Sequence, residues 1–165
     1  MLSKTCKYGI QSLILLASIK KSADSQIDEY VLGKQLASAL SIPKEYIHKV
    51  LHNLVNKKLV ISMKGPQGGF RLARAPADIT LFDIVKAIDG TAAFETCVIR
   101  TQKCDEDNPC GLHHYWRKNL TQARTLLDQI TIDELADEVR KGKRVLEFCT
   151  EDFGLKELKK QFGIN

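Results

Sequence analysis

Apolar side chains recur every three to four residues in three stretches of the first 60 residues. The first stretch, over residues 4–20, has no proline and predicts a helix that buries one face. A shorter helix is predicted over residues 32–39. A third is predicted from Pro43 to residue 58, because proline suits the first position of a helix. Two helices separated by a break at residues 41–43 are typical of a helix-turn-helix.

The pattern changes to short strands directly after the third helix. Residues 59–63 and 70–73 each predict a strand. The loop between them, residues 64–69, holds three glycines and one proline, which supply the backbone conformations of a hairpin turn. A hairpin at this place is the wing of a winged helix-turn-helix.

Helical spacing returns in the second half of the chain. Thr80 and Asp83 form a capping-box pattern that opens a helix ending at Gly90. One long helix is predicted over residues 112–130, about 28 Å at 1.5 Å per residue, and Thr131 opens a last short helix. The long helix carries a wide apolar stripe of Leu112, Tyr115, Trp116, Leu120, Ala123, Leu126, Leu127 and Ile130. This stripe could pack within the chain, but a small winged helix cannot cover it completely. We therefore favour a subunit interface.

The predicted fold is accordingly mainly α-helical with one small β-hairpin: a winged helix-turn-helix followed by a long dimerisation helix. A length of 165 residues suits one domain, and 44% hydrophobic residues exclude disordered and collagen-like chains. The longest apolar run, residues 13–17, is far shorter than the roughly 20 residues that cross a bilayer. No secretory signal is evident, so we expect a cytoplasmic protein, without a membrane partner, whose five cysteines stay reduced.

Charge is distributed unevenly along the chain. Of the net +5, residues 1–80 carry +7, from 12 Lys and Arg against 5 Asp and Glu, and residues 81–165 carry −2. A basic half can be an ordinary solvated face, but together with a helix-turn-helix and a wing it favours double-stranded DNA as partner. The predicted DNA-contacting residues are Lys44, His48, Lys49, His52 and Asn53 on the third helix and Lys64, Gly65, Gln67 and Arg71 in the wing.

Four residues with metal-ligating side chains lie close together in the sequence: Cys97, Cys104, Cys110 and His113. Thiolates and imidazole bind zinc or the iron of clusters. A cysteine can also serve as a small buried hydrophobe, but residues 103–111 are highly polar and lack core periodicity, which favours a ligand loop. The gaps of six and five residues between the cysteines fit the habits of zinc fingers poorly. We refer to residues 97–113 as the cysteine segment.

The remaining cysteines, Cys6 and Cys149, lie in helical patterns and are predicted to be structural. A thiol enzyme would need an activated cysteine beside a positioned base. The sequence offers no recognisable pair of that kind, so we do not expect an enzyme.

These residues together resemble the IscR/NsrR type of bacterial winged-helix transcription regulators. The resemblance covers residues 1–135 and is most specific in the wing, residues 64–72, and in the cysteine segment. It implies a homodimer that binds an imperfect palindrome and senses through an iron–sulfur cluster held by the three cysteines. In the IscR-like branch the cluster is [2Fe-2S], with a histidine three residues after the last cysteine as fourth ligand. His113 matches that position.

The chain departs from the family pattern at two places. The first cysteine gap is six residues, whereas five is usual. Lys64 stands where arginine is usual, so a planar guanidinium that can form two parallel hydrogen bonds is replaced by the point charge of an ammonium group. We predict a DNA-binding domain over residues 1–90, a cluster-binding loop over 91–111 and a dimerisation helix with a tail over 112–165. The predicted function is transcription regulation by a cluster that senses redox state, nitric oxide or cluster supply. The alternative is a winged-helix regulator with structural zinc or a thiol-oxidation switch.

Overall fold

The computed structural model describes residues 2–19, 30–65, 68–99 and 105–141. In chain order these residues form helices α1 (Lys4–Ser18), α2 (Gly33–Ala39) and α3 (Lys44–Asn56), strands β1 (Val60–Met63) and β2 (Gly69–Leu72), and helices α4 (Leu81–Ile88), α5 (His113–Gln129) and α6 (Ile132–Arg140). Short 3-10 turns, Pro76–Asp78 and Ala92–Phe94, lie on either side of α4. The predicted fold, mainly helical with one small hairpin, is confirmed, and the bounds differ from the predicted ones by a few residues.

The wing is an antiparallel hairpin that is also attached to the chain ahead of α2. Val60 pairs with Leu72 at its base and Met63 with Gly69 near its tip. On the other edge of β2, Val31 and Phe70 exchange two backbone hydrogen bonds of 2.9 and 2.8 Å. These bonds join β2 to the chain ahead of α2, so β2 is hydrogen-bonded along both of its edges.

The core of the winged helix is centred on α1. Leu13 of α1, Leu36 of α2 and Leu51 of α3 are fully buried in one apolar cluster. Helix α6 belongs to the same core, because its Ile132 and Val139 are buried there and α6 packs along α1. Residues beyond 130 thus complete the packing of a unit that begins at residue 4.

Helix α5 behaves differently from the other helices, since none of its residues is buried. It contacts α4 and the turn Ala92–Phe94, with a partly open cavity of about 430 Å³ between them. Several of its apolar side chains face solvent, with Tyr115 66% and Leu126 57% exposed. Within the described ranges, no helix combines the length and the apolar character that a membrane crossing needs.

Candidate DNA interface and cysteine segment

Helix α3 presents a polar face opposite its buried side. Ile47, Val50, Leu51 and Leu54 are buried under the helix. On the other side Lys44, Lys49 and His52 are exposed, while His48 and Asn53 are half-buried. The face combines two cations with side chains that can hydrogen-bond to base edges, as a recognition helix requires.

The two histidines of α3 also pack on the wing. The rings of His48 and His52 each meet the Phe70 ring edge to face, with centroids 5.7 Å apart. Gly33 of α2 lies so close to His48 that a Cβ there would stand 2.4 Å from the imidazole Nε2. His48 therefore joins α2, α3 and β2, a role that the sequence pattern did not reveal.

The predicted wing residues have different surroundings. Lys64 and Gly65 are exposed at the tip, and Gly65 has a positive φ of 115°. Arg71 is half-buried, with its guanidinium 5.3 Å from the centre of the Tyr30 ring. Gln67 lies outside the described residues. Lys64 is thus presented outward at the tip, whereas Arg71 stacks at the base of the hairpin.

Cys97 lies directly after the turn Ala92–Phe94 and is only 8% exposed. The backbone N–H of Ile99 donates to its Sγ at 3.4 Å. On the preceding residue, the carbonyl oxygen of Thr96 accepts a 3.0 Å hydrogen bond from the indole Nε1 of Trp116. An N–H group directed at a thiolate sulfur stabilises its negative charge and tunes a bound metal centre.

Cys110 and His113 lie together at the start of α5. Both are half-buried, and the His113 N–H donates to the Cys110 carbonyl at 2.9 Å. Cys104 lies outside the described residues. Among the residues that are described, no three His, Cys, Asp or Glu side chains come together as a metal site. The donor chemistry, thiolates with one imidazole and an N–H directed at sulfur, fits an iron–sulfur cluster.

Cys6 has the buried environment expected of a structural cysteine, and Cys149 lies outside the described residues. Burial, followed by the negative charge of Asp89 and a hydrogen bond with it, raises the pKa of the Cys6 thiol to about 12. Because the thiolate is the reactive form, Cys6 is held inert at neutral pH.

Trp116 has a role that helical periodicity does not predict. The spacing places it in the apolar stripe of α5, yet its indole N–H donates to the chain beside Cys97. A signal was present, since an indole nitrogen can only donate and a buried one needs an acceptor. The acceptor lies 20 residues away in sequence, and periodicity carries no information about such a contact.

Comparison with known proteins supports this architecture. The family model Rrf2, described as an iron-dependent transcriptional regulator, matches residues 2–138. An HTH-type transcriptional regulator of Aquifex aeolicus is 34% identical over 135 residues, which cover 81% of this chain and 89% of the relative. The regulator NsrR of Bacillus licheniformis is 30% identical over 138 residues, 81% of this chain and 92% of the relative.

A solved structure of IscR from T. potens has the same fold. It superposes with a TM-score of 0.63 at 28% identity and covers 83% of this chain and 87% of its own. The family match extends over the winged helix, the cysteine segment and α6 alike. The chain belongs to the Rrf2 family of winged-helix transcriptional regulators.

Proposed function

We propose that this transcriptional regulator binds a palindromic DNA operator as a homodimer, with α3 in the major groove and the wing on the adjacent backbone. The exposed cations Lys44 and Lys49 on α3 and Lys64 at the wing tip support this placement. Phe70 packs against both histidines of α3, so helix and wing form one rigid surface. A rigid surface of this kind can engage groove and phosphates simultaneously.

The observation that supports a dimer is the unburied helix α5. Leu112, Tyr115 and Leu126 are 41%, 66% and 57% exposed on one side of the helix. The opposite side of α5 faces α4 across a cavity, to which it contributes Arg117, Arg124, Asp128, two threonines and one leucine. Exposing apolar surface of this kind to water is unfavourable by about 25 cal/mol per Å². Burying it against a second copy removes that cost and gives the two-fold symmetry of a palindrome.

We further propose that Cys97, Cys104, Cys110 and His113 hold a [2Fe-2S] cluster that controls DNA affinity. A bound cluster supplies one-electron redox chemistry and sensitivity to oxidants and nitric oxide. The protein contributes the thiolates, the His113 imidazole and the Ile99 N–H directed at the Cys97 sulfur. The cysteine segment connects α4 to α5, so a change in it can alter the position of α5 relative to the DNA-binding unit.

Anaerobic purification followed by visible spectroscopy and assays of iron, sulfide and zinc tests the cluster. We expect coloured protein with stoichiometric iron and sulfide, and loss of the chromophore in Cys97→Ala, Cys104→Ala and Cys110→Ala. Cys6→Ala is the matched control, because that thiol is buried away from the segment. Colourless protein with stoichiometric zinc, or with no metal and a thiol that oxidises reversibly, would replace this proposal by the alternative.

Selection of binding sites from a random duplex library tests the DNA proposal. We expect an enriched palindrome, and fluorescence anisotropy on it should show that Lys64→Ala reduces the magnitude of the slope of log K against log salt by about 2, one phosphate contact for each subunit of the dimer. Arg71→Ala should weaken binding as well. Lys86→Ala, an exposed cation on α4, should leave the slope unchanged. Equal slopes in all these proteins would contradict phosphate contact by the wing.

A further inference from the structure

One hydrogen bond joins two residues that lie on either side of the cysteine segment. The Trp116 indole Nε1 donates to the Thr96 carbonyl at 3.0 Å, across 20 residues of sequence. Thr96 immediately precedes Cys97, and Trp116 follows His113 by three residues. The bond therefore closes a loop of the chain, and all four predicted ligands lie between its two ends in the sequence.

Both partners of this bond are themselves held by local hydrogen bonds. The Thr96 N–H and hydroxyl both donate to the Ala92 carbonyl, at 2.9 and 2.6 Å. The Trp116 N–H donates to the Leu112 carbonyl at 3.0 Å in the first turn of α5. The indole bond thus connects two pieces of backbone that are each held by local hydrogen bonds.

We propose that Trp116 is a positioning residue that holds Cys97 beside the first turn of α5, where Cys110 and His113 lie. This inference rests on the proposed cluster for its functional meaning. Closing a loop in advance removes part of the entropy that cluster binding would otherwise cost. The indole suits this task, because its nitrogen can only donate and its single N–H is directed at the Thr96 carbonyl.

The first test uses reduced protein without metal, so it does not depend on the cluster. Trp116→Phe keeps an aromatic ring and removes the donor. We expect Cys97 to be alkylated by iodoacetamide about three- to tenfold faster, the factor that one lost hydrogen bond allows. Mass spectrometry of the peptides measures this rate, and the buried Cys6, which should stay unmodified, shows in the same sample that the protein remains folded. Tyr115→Phe, at the next position of α5, is the matched control and should not change the rate.

A second measurement needs no variant, in case Trp116→Phe fails to fold. Trp116 is the chain's single tryptophan, so NMR shows one indole Hε1 signal. We expect this proton to exchange with solvent several-fold more slowly than that of free tryptophan. Exchange at the rate of free tryptophan, or an unchanged Cys97 alkylation rate in a folded Trp116→Phe variant, overturns the proposal.

The protein with bound cluster distinguishes the two proposals. If Trp116 positions Cys97 for the cluster, Trp116→Phe loses its visible absorption faster in the presence of a chelator, while its melting temperature stays near that of the wild type. If neither protein carries a cluster but Cys97 reactivity rises, the positioning of Cys97 stands and the cluster proposal fails. Equal cluster loss in both proteins overturns the functional part of the inference.

Discussion

The Cα of Gly69 lies beside the carbonyl group of Val31, where the wing joins the chain ahead of α2. A Cβ at Gly69 would stand 2.4 Å from the Val31 oxygen, and the residue has a positive φ of 152°. Gly65, at the wing tip, also has a positive φ but no neighbour within 4 Å of such a Cβ. Glycine is thus required at position 69 both because a side chain has no room and because φ is positive, whereas at position 65 only the positive φ requires it.

Gly69→Ala should therefore lower the free energy of unfolding by about 2 kcal/mol or more, because backbone atoms must move apart. Gly65→Ala should cost less, since only the conformational preference opposes it. Gly111→Ala, with open space and no positive φ, should be nearly neutral. Urea unfolding followed by circular dichroism measures all three. Equal costs for Gly69→Ala and Gly111→Ala would contradict the close approach to Val31.

The buried thiol of Cys6 makes stability depend on pH in the alkaline range. Its pKa in the folded protein, about 12, is higher than the ordinary value of 9.0 that the unfolded chain has. Below pH 9 both states keep the proton and the full contribution is present. As pH rises from 9 towards 12, the unfolded state loses its proton first, so the stability contribution falls.

We expect the difference in unfolding free energy between wild type and Cys6→Ala to be constant up to pH 8 and to shrink at pH 10. Urea unfolding under reducing conditions at several pH values provides the measurement. The other titrating groups are common to both proteins and cancel in the difference. A difference that stays the same at pH 8 and pH 10 would contradict the assigned environment of Cys6.

At the scale of elements, the starts of α4 and α6 lie side by side. Thr80 caps α4 with Asp83, Thr131 caps α6 with Glu134, and the two threonines form an isolated β-bridge. The chain between these two caps contains the cysteine segment and α5. Helix α6 therefore completes the core of the winged helix. The cysteine segment and α5 belong to a part of the chain that begins and ends at these two neighbouring caps.

The far end of α6 is attached to α1 by Arg140. Its Nη1 donates to the Ala17 carbonyl at 2.8 Å, and its guanidinium also pairs with Asp133 and Asp137. The hydrogen bond and charge of Arg140 hold the pKa of the Asp137 carboxyl below its ordinary value. The protonation of Asp137 in acid would weaken this attachment, because its stabilising contribution is present only while the carboxylate is charged.

Arg140→Met should destabilise the protein by about 1–3 kcal/mol, because it removes hydrogen bonds of a charged group and leaves the Ala17 carbonyl without this donor. Lys141→Met is the matched control, since Lys141 is the next residue, more exposed, and paired only at 3.8 Å. Thermal and urea unfolding measure the difference. Equal destabilisation by the two substitutions would contradict a specific role of the Arg140 hydrogen bonds, because loss of any positive charge at the end of α6 would then have the same effect.

At the scale of the whole molecule, the two sides of α5 differ in character. The side towards α4 contributes mainly polar side chains to the cavity, among them Arg117, Thr121 and Arg124, together with one leucine, Leu120. Leu126 lies among the exposed apolar side chains of the other side. Large apolar side chains that are exposed together on one side of a helix are typical of a surface that meets a partner, which supports the dimer proposed above.

Leu126→Glu should therefore shift the protein from dimer to monomer and weaken binding to a palindromic site by more than tenfold, while a single half-site is bound as before. Thr121→Glu places the same charge on the other side of α5 and should leave the dimer intact. Sedimentation velocity measures the assembly. A Leu126→Glu protein that remains dimeric would place the interface elsewhere.

Periodicity, together with the caps at Thr80 and Thr131 and the turn residues of the hairpin, was sufficient to predict the six α-helices and both strands that the structure describes, but not the two 3-10 turns. Which side of a helix is apolar depends on the spacing of residues within it, and that spacing can be read directly. What covers the apolar side depends on residues far away in the chain. The packing of α6 on α1 and the bond from Trp116 to Thr96 could not be predicted for this reason.

The sequence by itself determined the winged helix-turn-helix, the basic first half, and a cysteine segment whose residue types suit an iron–sulfur cluster. These features depend on local propensity, charge and donor chemistry, all of which act over a few residues. Only the tertiary structure decided that His48 joins the wing to α3, that Arg140 attaches α6 to α1, and that the indole of Trp116 reaches Thr96. Those features depend on contacts made across the folded chain, where distance in sequence no longer measures distance in space.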